Sequence, residues 1–425
     1  MPVRELTPTD ALAYRILTSS AFGGSVDPDD PAASAPLSPG QTAIGIDSSA
    51  LPGGADGVLA AGARIRHDEI ALGGGRVRCG GVAGLAVHPA HRGDGLFGEL
   101  LTAVIARCAE ESLPFSMLYP SNPEIYRRRG YQVVARVETL EVPLVDLQRL
   151  RSVPGRRTVP VTAATMPRVR ALYEQLTARD NGMLRREGSL FPDGLPGRGW
   201  EAVLLVGEDG EDRGYLSWTR RRGDGPGLEV HEILGRDRAD LQALLRMLGS
   251  WSTVTEQVRL RLRTEDPVLD VLPGGGARPA PGTVPLVMMR VIDTAAALAA
   301  RPAPAGLSGA LRLGVADDTV PAGTCRAGGL FDVQVADGRV RAVPVPGRAA
   351  PGGAAATAGT SAAGRADGIA GTVRLDVHAA SLLLVGGRSL TDARRLGLHA
   401  EADEPAEALL DALLAGPRPS VLDAF

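Results

Sequence analysis

The chain has 425 residues, a formal net charge of −3 and 44% hydrophobic residues. At about 150 residues per domain, this length predicts three domains. The composition is typical of a soluble globular protein, and no apolar run approaches the ~20 residues of a membrane span. The small net charge without a basic block argues against nucleic-acid binding. The start of the chain lacks the apolar run of a signal peptide, which predicts a cytoplasmic location.

Cysteine, histidine and lysine usage narrows the possible chemistry. Cys79, Cys108 and Cys325 are far apart in sequence and are predicted to be buried free thiols. His88 and His91 have no third ligand at a helical spacing, so no metal site is predicted. All 46 basic residues are arginine. Any amine that the protein modifies, other than its own N-terminus, must therefore come from another molecule.

Residues 1–150 are predicted to form the first α/β domain. Residues 23–57 are rich in Gly, Pro, Ser and Asp and are predicted to be a long mobile loop. The apolar patterns around this loop predict a short strand and a helix within residues 1–22, strands at Val58–Arg66, Ile70–Leu72 and Gly80–Val87, a helix at Leu96–Cys108, a strand at Phe115–Tyr119, a short helix from Pro123 to Gly130 and a strand at Tyr131–Val142.

Two further domains are predicted, at 151–285 and 286–425. The second repeats the order of the first but lacks an Arg-x-x-Gly turn, which indicates a degenerate copy, and residues 264–285 resemble a linker. The third contains an Ala/Gly tract at 346–368 for which no structure is predicted. The third domain has strand patterns at Leu311–Val315, Phe331–Val335 and Val340–Val343 and helical patterns at Ala379–Leu384, Leu390–Leu396 and Ala406–Leu414.

The segment from Val82 to Gly98 is the most informative part of the sequence. An apolar strand leads directly into a Gly-bearing turn and a helix, so unpaired N–H groups converge at a point that can bind an anion. Arg92 adds a positive charge, and Gly93 and Gly95 allow the backbone to approach a pyrophosphate without an intervening Cβ. Taken alone, these residues also fit an ordinary turn between a strand and a helix.

The turn resembles the acetyl-CoA motif of the GNAT acetyltransferase superfamily, [R/Q]-x-x-G-x-[G/A], and departs from it at Phe97, where a small residue is usual. With the segment Ser121–Tyr131 and the aromatic C-terminus, the chain resembles the Eis (enhanced intracellular survival) acetyltransferases of actinobacteria. This resemblance implies an α/β (α+β) fold of two tandem GNAT-like domains followed by a sterol-carrier-protein-like domain. It also implies acetylation of aminoglycoside-like or lysine-like amines by a homo-oligomer, commonly a hexamer.

The resemblance further implies where acetyl-CoA binds. The open edge of the strand before the turn would pair with the pantetheine chain, and the turn would hold the pyrophosphate. No metal is implied. The implied cofactor-binding residues are Leu85, Ala86, Val87, Arg92, Gly93, Asp94, Gly95, Leu96, Phe97, Gly98, Ser121 and Asn122.

Acetyl transfer to an amine needs a base for the amine and an acid for the CoA thiolate. The resemblance implies that Tyr126 is the acid and that the α-carboxylate of Phe425, donated by the third domain, is the base. Without the resemblance, Tyr126 would be read as packing a short helix, and terminal residues usually fray. Two prolines and the apolar residues Val421 and Leu422 favour a docked tail.

Three aspartates and two other functions remain open at this point. Asp27, Asp29 and Asp30 either line an acceptor pocket for polycations or belong to a solvated loop. A non-catalytic acyl-CoA or lipid-binding protein is favoured by Phe97 and by the degenerate middle domain. A protein lysine or N-terminal acetyltransferase fits the same motifs as a small-molecule enzyme.

Overall fold

The computed structural model describes residues 3–191, 200–220, 227–282, 284–346 and 369–423. The chain divides into two compact units. The first combines the residues up to Val134 with Met288–Pro417, and the second combines Ala135–Val287 with the tail from Arg418. Among the helices in these ranges, none is both long and apolar enough to cross a membrane.

Strands and helices are mixed along the whole chain, with several runs of two to four consecutive strands. From Arg4 to Arg136 they are β1 (Arg4–Glu5), α1 (Ala11–Phe22), β2 (Gln41–Asp47), β3 (Leu59–Leu72), β4 (Gly75–Val87), α2 (Leu96–Glu110), β5 (Phe115–Leu118), α3 (Pro123–Arg127) and β6 (Gln132–Arg136). The next ten are β7 (Glu138–Pro143), α4 (Leu144–Gln148), β8 (Arg156–Pro160), α5 (Met166–Thr177), β9 (Glu201–Gly207), β10 (Asp212–Arg220), β11 (Leu228–Gly235), α6 (Arg238–Leu248), β12 (Gln257–Leu262) and β13 (Arg278–Pro279).

The last part of the chain also mixes strands and helices. Its elements are β14 (Leu286–Val291), α7 (Thr294–Ala299), β15 (Gly309–Ala316), β16 (Gly329–Ala336), β17 (Arg339–Pro344), β18 (Ile369–Asp376), α8 (Val377–Leu383), α9 (Leu390–Arg395), β19 (Ala400–Ala402) and α10 (Glu404–Leu414). The strands form three sheets with the orders β1-β2-β3-β4-β5-β14-β6, β13-β7-β12-β11-β10-β9-β8 and β17-β16-β15-β18-β19.

Two expectations for the first domain are wrong. The predicted mobile loop contains β2, which pairs with β3 in the sheet, because Ile44 and Ile46 are buried although Gly, Ser and Pro surround them. The turn expected between residues 66 and 70 is also absent. There β3 continues, and His67 and Glu69 pair with Gly80 and Arg78 of β4. Both stretches of strand form because they pair with strands that are distant in sequence, so local composition does not predict them.

Helices cover both faces of the first sheet. Gly62 of β3 faces α1, since a Cβ there would lie 3.0 Å from the Tyr14 ring. The alternate residues Ala61 and Ala63 belong to the core that α2 fills with Leu100. Successive strand residues point to opposite faces, so α1 and α2 lie on opposite sides of the sheet.

The first two sheets each include a strand from an unexpected part of the chain. β14, which follows the second predicted domain in sequence, lies between β5 and β6 in the first sheet. β7, which sequence analysis places in the first domain, lies between β12 and β13 in the second sheet. β13 itself comes from the predicted linker. Periodicity predicts strands but not their partners, so this exchange has no local signal.

Arg290 of β14 connects the first sheet to the third within the first unit. Its side chain is fully buried and donates to the Asp317 carboxylate at 2.6 Å and to the Thr319 hydroxyl at 3.0 Å. It also donates to the backbone carbonyl of Arg129 at 2.5 Å. A buried cation is tolerated because all of these acceptors surround it.

The C-terminal tail docks on the second unit through its backbone and one buried ion pair. The Ser420 amide donates to the Asn181 carbonyl at 2.8 Å, and Arg261 donates to the Leu422 carbonyl at 3.1 Å. The buried carboxylate of Asp423 accepts from Arg186 at 2.9 Å. The tail is therefore docked from Ser420 to Asp423, and its contacts lie within the second unit. Phe425 lies outside the described residues, so the position of its carboxylate in the first domain stays a prediction.

Arg186 also pairs with the buried carboxylate of Glu232. Burial opposes ionisation of Glu232, but the Arg186 guanidinium outweighs burial and holds the pKa of Glu232 below its usual range. The Tyr215 hydroxyl donates to the same carboxylate at 2.6 Å. The tail thus completes a buried charge network. Removal of Asp423 would take away one of the carboxylates that balance the buried positive charge of Arg186.

We expect Asp423→Ala to lower the free energy of unfolding of the second unit by about 3 kcal/mol or more, because breaking a buried ion pair has that effect. All three tryptophans of the chain, Trp200, Trp218 and Trp251, lie in this unit. Guanidinium chloride unfolding followed by tryptophan fluorescence therefore measures the loss. Glu265→Ala, which removes the exposed partner of Arg418 in the same tail, is the control and should change little. Equal stability of both variants would contradict the structural role of Asp423.

Candidate active site

The site begins where β4 and β5 separate. These parallel strands pair only at Cys79–Gly81 and Phe115–Met117. Beyond Gly81, β4 continues to Val87 and stays paired with β3 on its other edge. The edge of Val82–Val87 that faces β5 therefore has no strand partner within the part of the chain that the structure describes. Its free backbone groups can pair with an extended ligand.

A bulge in β4 lies within this open edge. The register between β3 and β4 shifts around Gly84 and Leu85. Gly84 has a φ of +56°, and a Cβ at this position would collide with the Tyr14 hydroxyl. That hydroxyl donates to the Gly84 carbonyl at 3.0 Å. Bulges of this kind redirect a strand, and here Leu85 and Val87 remain half-buried while Ala86 is buried.

The turn after β4 presents a row of backbone amides. Gly93 and Gly95 have φ values of +100° and +81°, which other residues adopt only with strain. The Gly95 carbonyl accepts from the amides of Gly98 and Glu99 at the start of α2. Among the described residues, the amides from 93 to 97 have no hydrogen-bond partner. These amides lie at the positive end of the α2 dipole, so the turn suits a phosphate group.

Side chains around the turn hold it in place. His91 is buried, and its Nε2 lies 2.8 Å from the Ser48 hydroxyl. The Asp94 carboxylate lies 3.9 Å from His91 Nδ1. Arg92 is exposed and makes only a long contact, 3.4 Å, to the Val87 carbonyl. The Arg92 guanidinium thus remains available to an anion, whereas His91 braces the turn.

Arg129, which the sequence patterns do not single out, places a second guanidinium beside the start of α2. Its Nε donates to the Thr102 hydroxyl at 3.2 Å, and a Cβ at Gly98 would lie 2.9 Å from its Nη2. Because Gly98 has no side chain, there is room beside it for the Arg129 guanidinium. No sequence signal separates Arg129 from its neighbours Arg127 and Arg128.

The corresponding turn of the second domain has the opposite chemistry. Asp237 caps the N-terminus of α6, and its carboxylate accepts from the Asp240 amide at 2.9 Å. Asp240 is itself buried and pairs with Arg156 at 2.6 Å. Carboxylates thus occupy the helix N-terminus where an anion would bind, and they would repel it. This agrees with the interpretation of the second domain as a copy without a cofactor loop.

Tyr126 lies on α3, next to the open end of the sheet. The Asn122 side chain caps this helix by accepting from the Glu124 amide at 3.0 Å. Tyr126 is buried, and the burial raises the pKa of its hydroxyl, although a hydrogen bond with the Ser121 side chain partly opposes the rise. The hydroxyl therefore stays protonated at neutral pH and can donate a proton. Ser121 and Asn122 are exposed and contribute the hydrogen bond and the cap.

The departure from the sequence motif at Phe97 has a structural role. The Phe97 ring packs edge-on against the Tyr126 ring, with centroids 5.4 Å apart. On the other side, Tyr131 packs at 6.2 Å and its hydroxyl lies 2.7 Å from the buried Ser116 hydroxyl. Leu96 is buried in the same core. Phe97 thus links the start of α2 to Tyr126, which a small residue would not do.

Gly130 allows the tight turn that separates Tyr126 from Tyr131. Its φ is +79°, and a Cβ there would collide with the Arg290 guanidinium. The amide of Tyr131 donates to the Tyr126 carbonyl at 3.4 Å, which closes the turn after α3. Only glycine satisfies both the backbone angle and the close approach of Arg290.

The aspartates near residue 30 accept hydrogen bonds from backbone amides of their own loop or are exposed. Asp27 accepts from the Asp29 amide at 3.0 Å, and Asp30 accepts from the Ala32 amide at 2.9 Å. All three are exposed. Neither cavity described in this part of the molecule has any of them in its lining.

The cysteines are free thiols. Cys79 and Cys108 are buried, and Cys325 is half-buried. Burial raises the pKa of the Cys108 thiol to about 12, so it is not a nucleophile at neutral pH. In the described ranges, no group of three or more His, Cys, Asp or Glu side chains is arranged to hold a metal ion.

Three segments of the chain match known domain families. Residues 2–134 and residues 176–291 each match an acetyltransferase (GNAT) domain. Residues 294–422 match a sterol carrier protein domain. The chain therefore contains two GNAT acetyltransferase domains followed by a sterol-carrier-protein-like domain. The predicted α/β fold class is confirmed.

Individual relatives agree with this class. Over 247 residues, or 54% of this chain, the sequence is 27% identical to an uncharacterized N-acetyltransferase of Streptomyces coelicolor, and the match covers 59% of that protein's length. Structures of GCN5-related N-acetyltransferases from Kribbella flavida and Anabaena variabilis match all of this chain, with TM-scores of 0.75 and 0.77, identities of 23% and 19%, and coverage of 98% and 100% of their own lengths. Eis1 from Mycobacterium abscessus matches over 100% of both chains, with a TM-score of 0.69 and 21% identity.

We expect Gly95→Val to reduce acetyl-CoA affinity by roughly tenfold or more, because strain at a positive φ costs about 1–3 kcal/mol and displaces the amides of the turn. Isothermal titration calorimetry with acetyl-CoA measures the change. Gly210→Val is the matched control, since Gly210 also has a φ of +81° and lies in a hairpin of the second unit. A folded Gly95→Val protein with unchanged affinity would show that the turn does not bind the cofactor.

Proposed function

We propose that this protein is an acetyl-CoA-dependent N-acetyltransferase of the Eis type, which transfers the acetyl group directly to an aminoglycoside-like or lysine-like amine. One observation carries the proposal. The open edge of β4 leads directly into the free amides of the turn, and buried Tyr126 lies beside the first turn of α2. The full-length likeness to Eis1 supports the architecture.

Acetyl-CoA is the co-substrate in this proposal. Its pyrophosphate binds the amides at 93–97 with help from Arg92, and its pantetheine chain pairs with the edge of Leu85–Val87. The fit is supported by the glycines of the turn, which keep Cβ atoms away from the amides. The chain direction of β4 then puts the thioester near the bulge at Gly84 and the phosphates at the outer end.

The reaction needs two proton transfers. The amine nitrogen attacks the thioester carbonyl carbon, the C–N bond forms, the C–S bond breaks, and the thiolate takes the proton of the Tyr126 hydroxyl. The raised pKa of Tyr126 keeps that proton available. The base that removes the amine proton is the α-carboxylate of Phe425. This role rests on the resemblance to the Eis acetyltransferases.

Release of free CoA thiol from acetyl-CoA, with mass spectrometry of the amine product, tests the function. Amine-dependent thiol release with one N-acetyl group per thiol would support it. A non-catalytic acyl-CoA or lipid binder would bind acetyl-CoA without releasing thiol. Acetylation confined to peptide lysines or protein N-termini would replace the small-molecule acceptor with a protein one. The resemblance also leads us to propose a homo-hexamer, which light scattering tests against a 44.1 kDa monomer.

We expect Tyr126→Phe to lower kcat by about 100-fold or more, the range that general acid catalysis contributes, with unchanged acetyl-CoA affinity. Steady-state kinetics and calorimetry measure the two effects. Tyr131→Phe is the control, because it removes another buried hydroxyl, one that bonds only to Ser116 among the described residues. If Tyr126→Phe retains normal turnover, Tyr126 only packs the helix.

We expect one glycine added after Phe425 to abolish most activity while acetyl-CoA still binds, because the added residue converts the terminal carboxylate to a neutral amide. Phe425→Ala keeps the carboxylate and should be milder. Comparison of kcat for the two variants with kcat for the unmodified chain tests whether the terminal carboxylate is the base. Full activity of the extended chain would exclude the terminal carboxylate as the base.

A further inference from the structure

A cleft of about 510 Å³ in the first unit lies between α1 and the sheet. It is lined by residues of α1, by the segment 36–41 before β2, and by Arg64 of β3 and Gly84 of β4. Gly84 is the bulge residue beside Leu85, where the proposed function puts the thioester. The cleft therefore opens at the place where an acceptor must approach.

Arg64 is a cation without a counter-ion in this cleft. It is half-buried, and its buried Nε has no hydrogen-bond partner. Within the ranges that the structure describes, no carboxylate pairs with it. Arg66, two residues further along the same face of β3, instead pairs with Asp68 at 2.9 Å. A half-buried guanidinium without a partner favours an anionic ligand, because its charge is not neutralised by the protein.

The rest of the lining does not supply negative charge. No aspartate or glutamate is among the described residues that line the cleft. Arg15 contributes a second guanidinium, whose Nη1 donates to the Ala32 and Ala33 carbonyls at 2.5 Å each. Burial raises the pKa of Tyr14, although the Arg64 charge opposes the rise, so the Tyr14 hydroxyl stays neutral. Two cations and neutral polar groups thus surround the space.

We propose that the acceptor is an amine that also carries a carboxylate, as an amino acid does, and that Arg64 binds this carboxylate. This inference rests on the proposed acetyltransferase function and selects among its acceptors. A guanidinium and a carboxylate can form two parallel charge-assisted hydrogen bonds. A polycationic acceptor would be repelled by Arg15 and Arg64.

Two acceptors that differ only in the carboxylate, 6-aminohexanoate and hexylamine, test the proposal. We expect the protein to have a kcat/KM about 10- to 100-fold higher for 6-aminohexanoate, the range of a charge-assisted hydrogen bond. Arg64→Met should remove this preference. Arg78→Met is the matched control, since Arg78 is exposed on β4 outside the cleft and should leave the preference unchanged.

A binding measurement without turnover separates this inference from the proposed function. Hexanoate has the carboxylate but no amine, and at millimolar concentration it should raise the melting temperature of the unmodified protein and of Arg78→Met, but not of Arg64→Met. A folded protein without a hexanoate shift, a wild-type preference for hexylamine, or an equal loss for both acceptors in Arg64→Met would overturn the proposal. Absence of any thiol release would overturn the proposed function, and the hexanoate shift would still decide the role of Arg64.

Discussion

The buried guanidinium of Arg290 joins three separate segments of the first unit. A charge in this position is stable only while Asp317, Thr319 and the Arg129 carbonyl all remain in contact with it. Two of these acceptors follow β15 in the third sheet, and the third belongs to the turn that ends the Tyr126 helix. The sterol-carrier-protein-like domain therefore holds the helix of the candidate acid in position, although it contributes no described side chain to the turn that is proposed to bind phosphate.

The two GNAT domains differ at the turn that, in the first domain, is proposed to bind the cofactor. Both have a strand that leads into a helix at the centre of a sheet, and both pair this strand with a parallel neighbour over a short stretch. The difference lies at the helix N-terminus, where Gly95 leaves the amides free and Asp237 supplies its own carboxylate. Since a helix N-terminus attracts one anion, a built-in carboxylate takes the place of a phosphate.

Sequence patterns predicted the features that depend on neighbouring residues. The Gly93–Gly95 turn, α2, β15 to β17 and α8 to α10 follow local periodicity, and they were predicted nearly to their ends. No element was predicted for α7, β18 or β19 of the third domain. The strand Gln41–Asp47 and the exchange of β7 and β14 depend on distant partners and have no local signal. Arg64 could be noticed only as the first polar residue on one face of β3, followed by Arg66 and Asp68. Whether a carboxylate lies near Arg64 depends on the packing of α1, which is distant from β3 in sequence.

The central claim is that one of two similar domains binds acetyl-CoA, at the open edge of β4 and the turn that follows it. Amide hydrogen exchange with and without acetyl-CoA tests this claim most directly, because it reports on the backbone groups themselves. The account predicts slower exchange at Val82–Val87 and at 93–98, and no change at the β11–α6 turn around Asp237. Protection at the β11–α6 turn, or none at residues 93–98 under saturating acetyl-CoA, would contradict it.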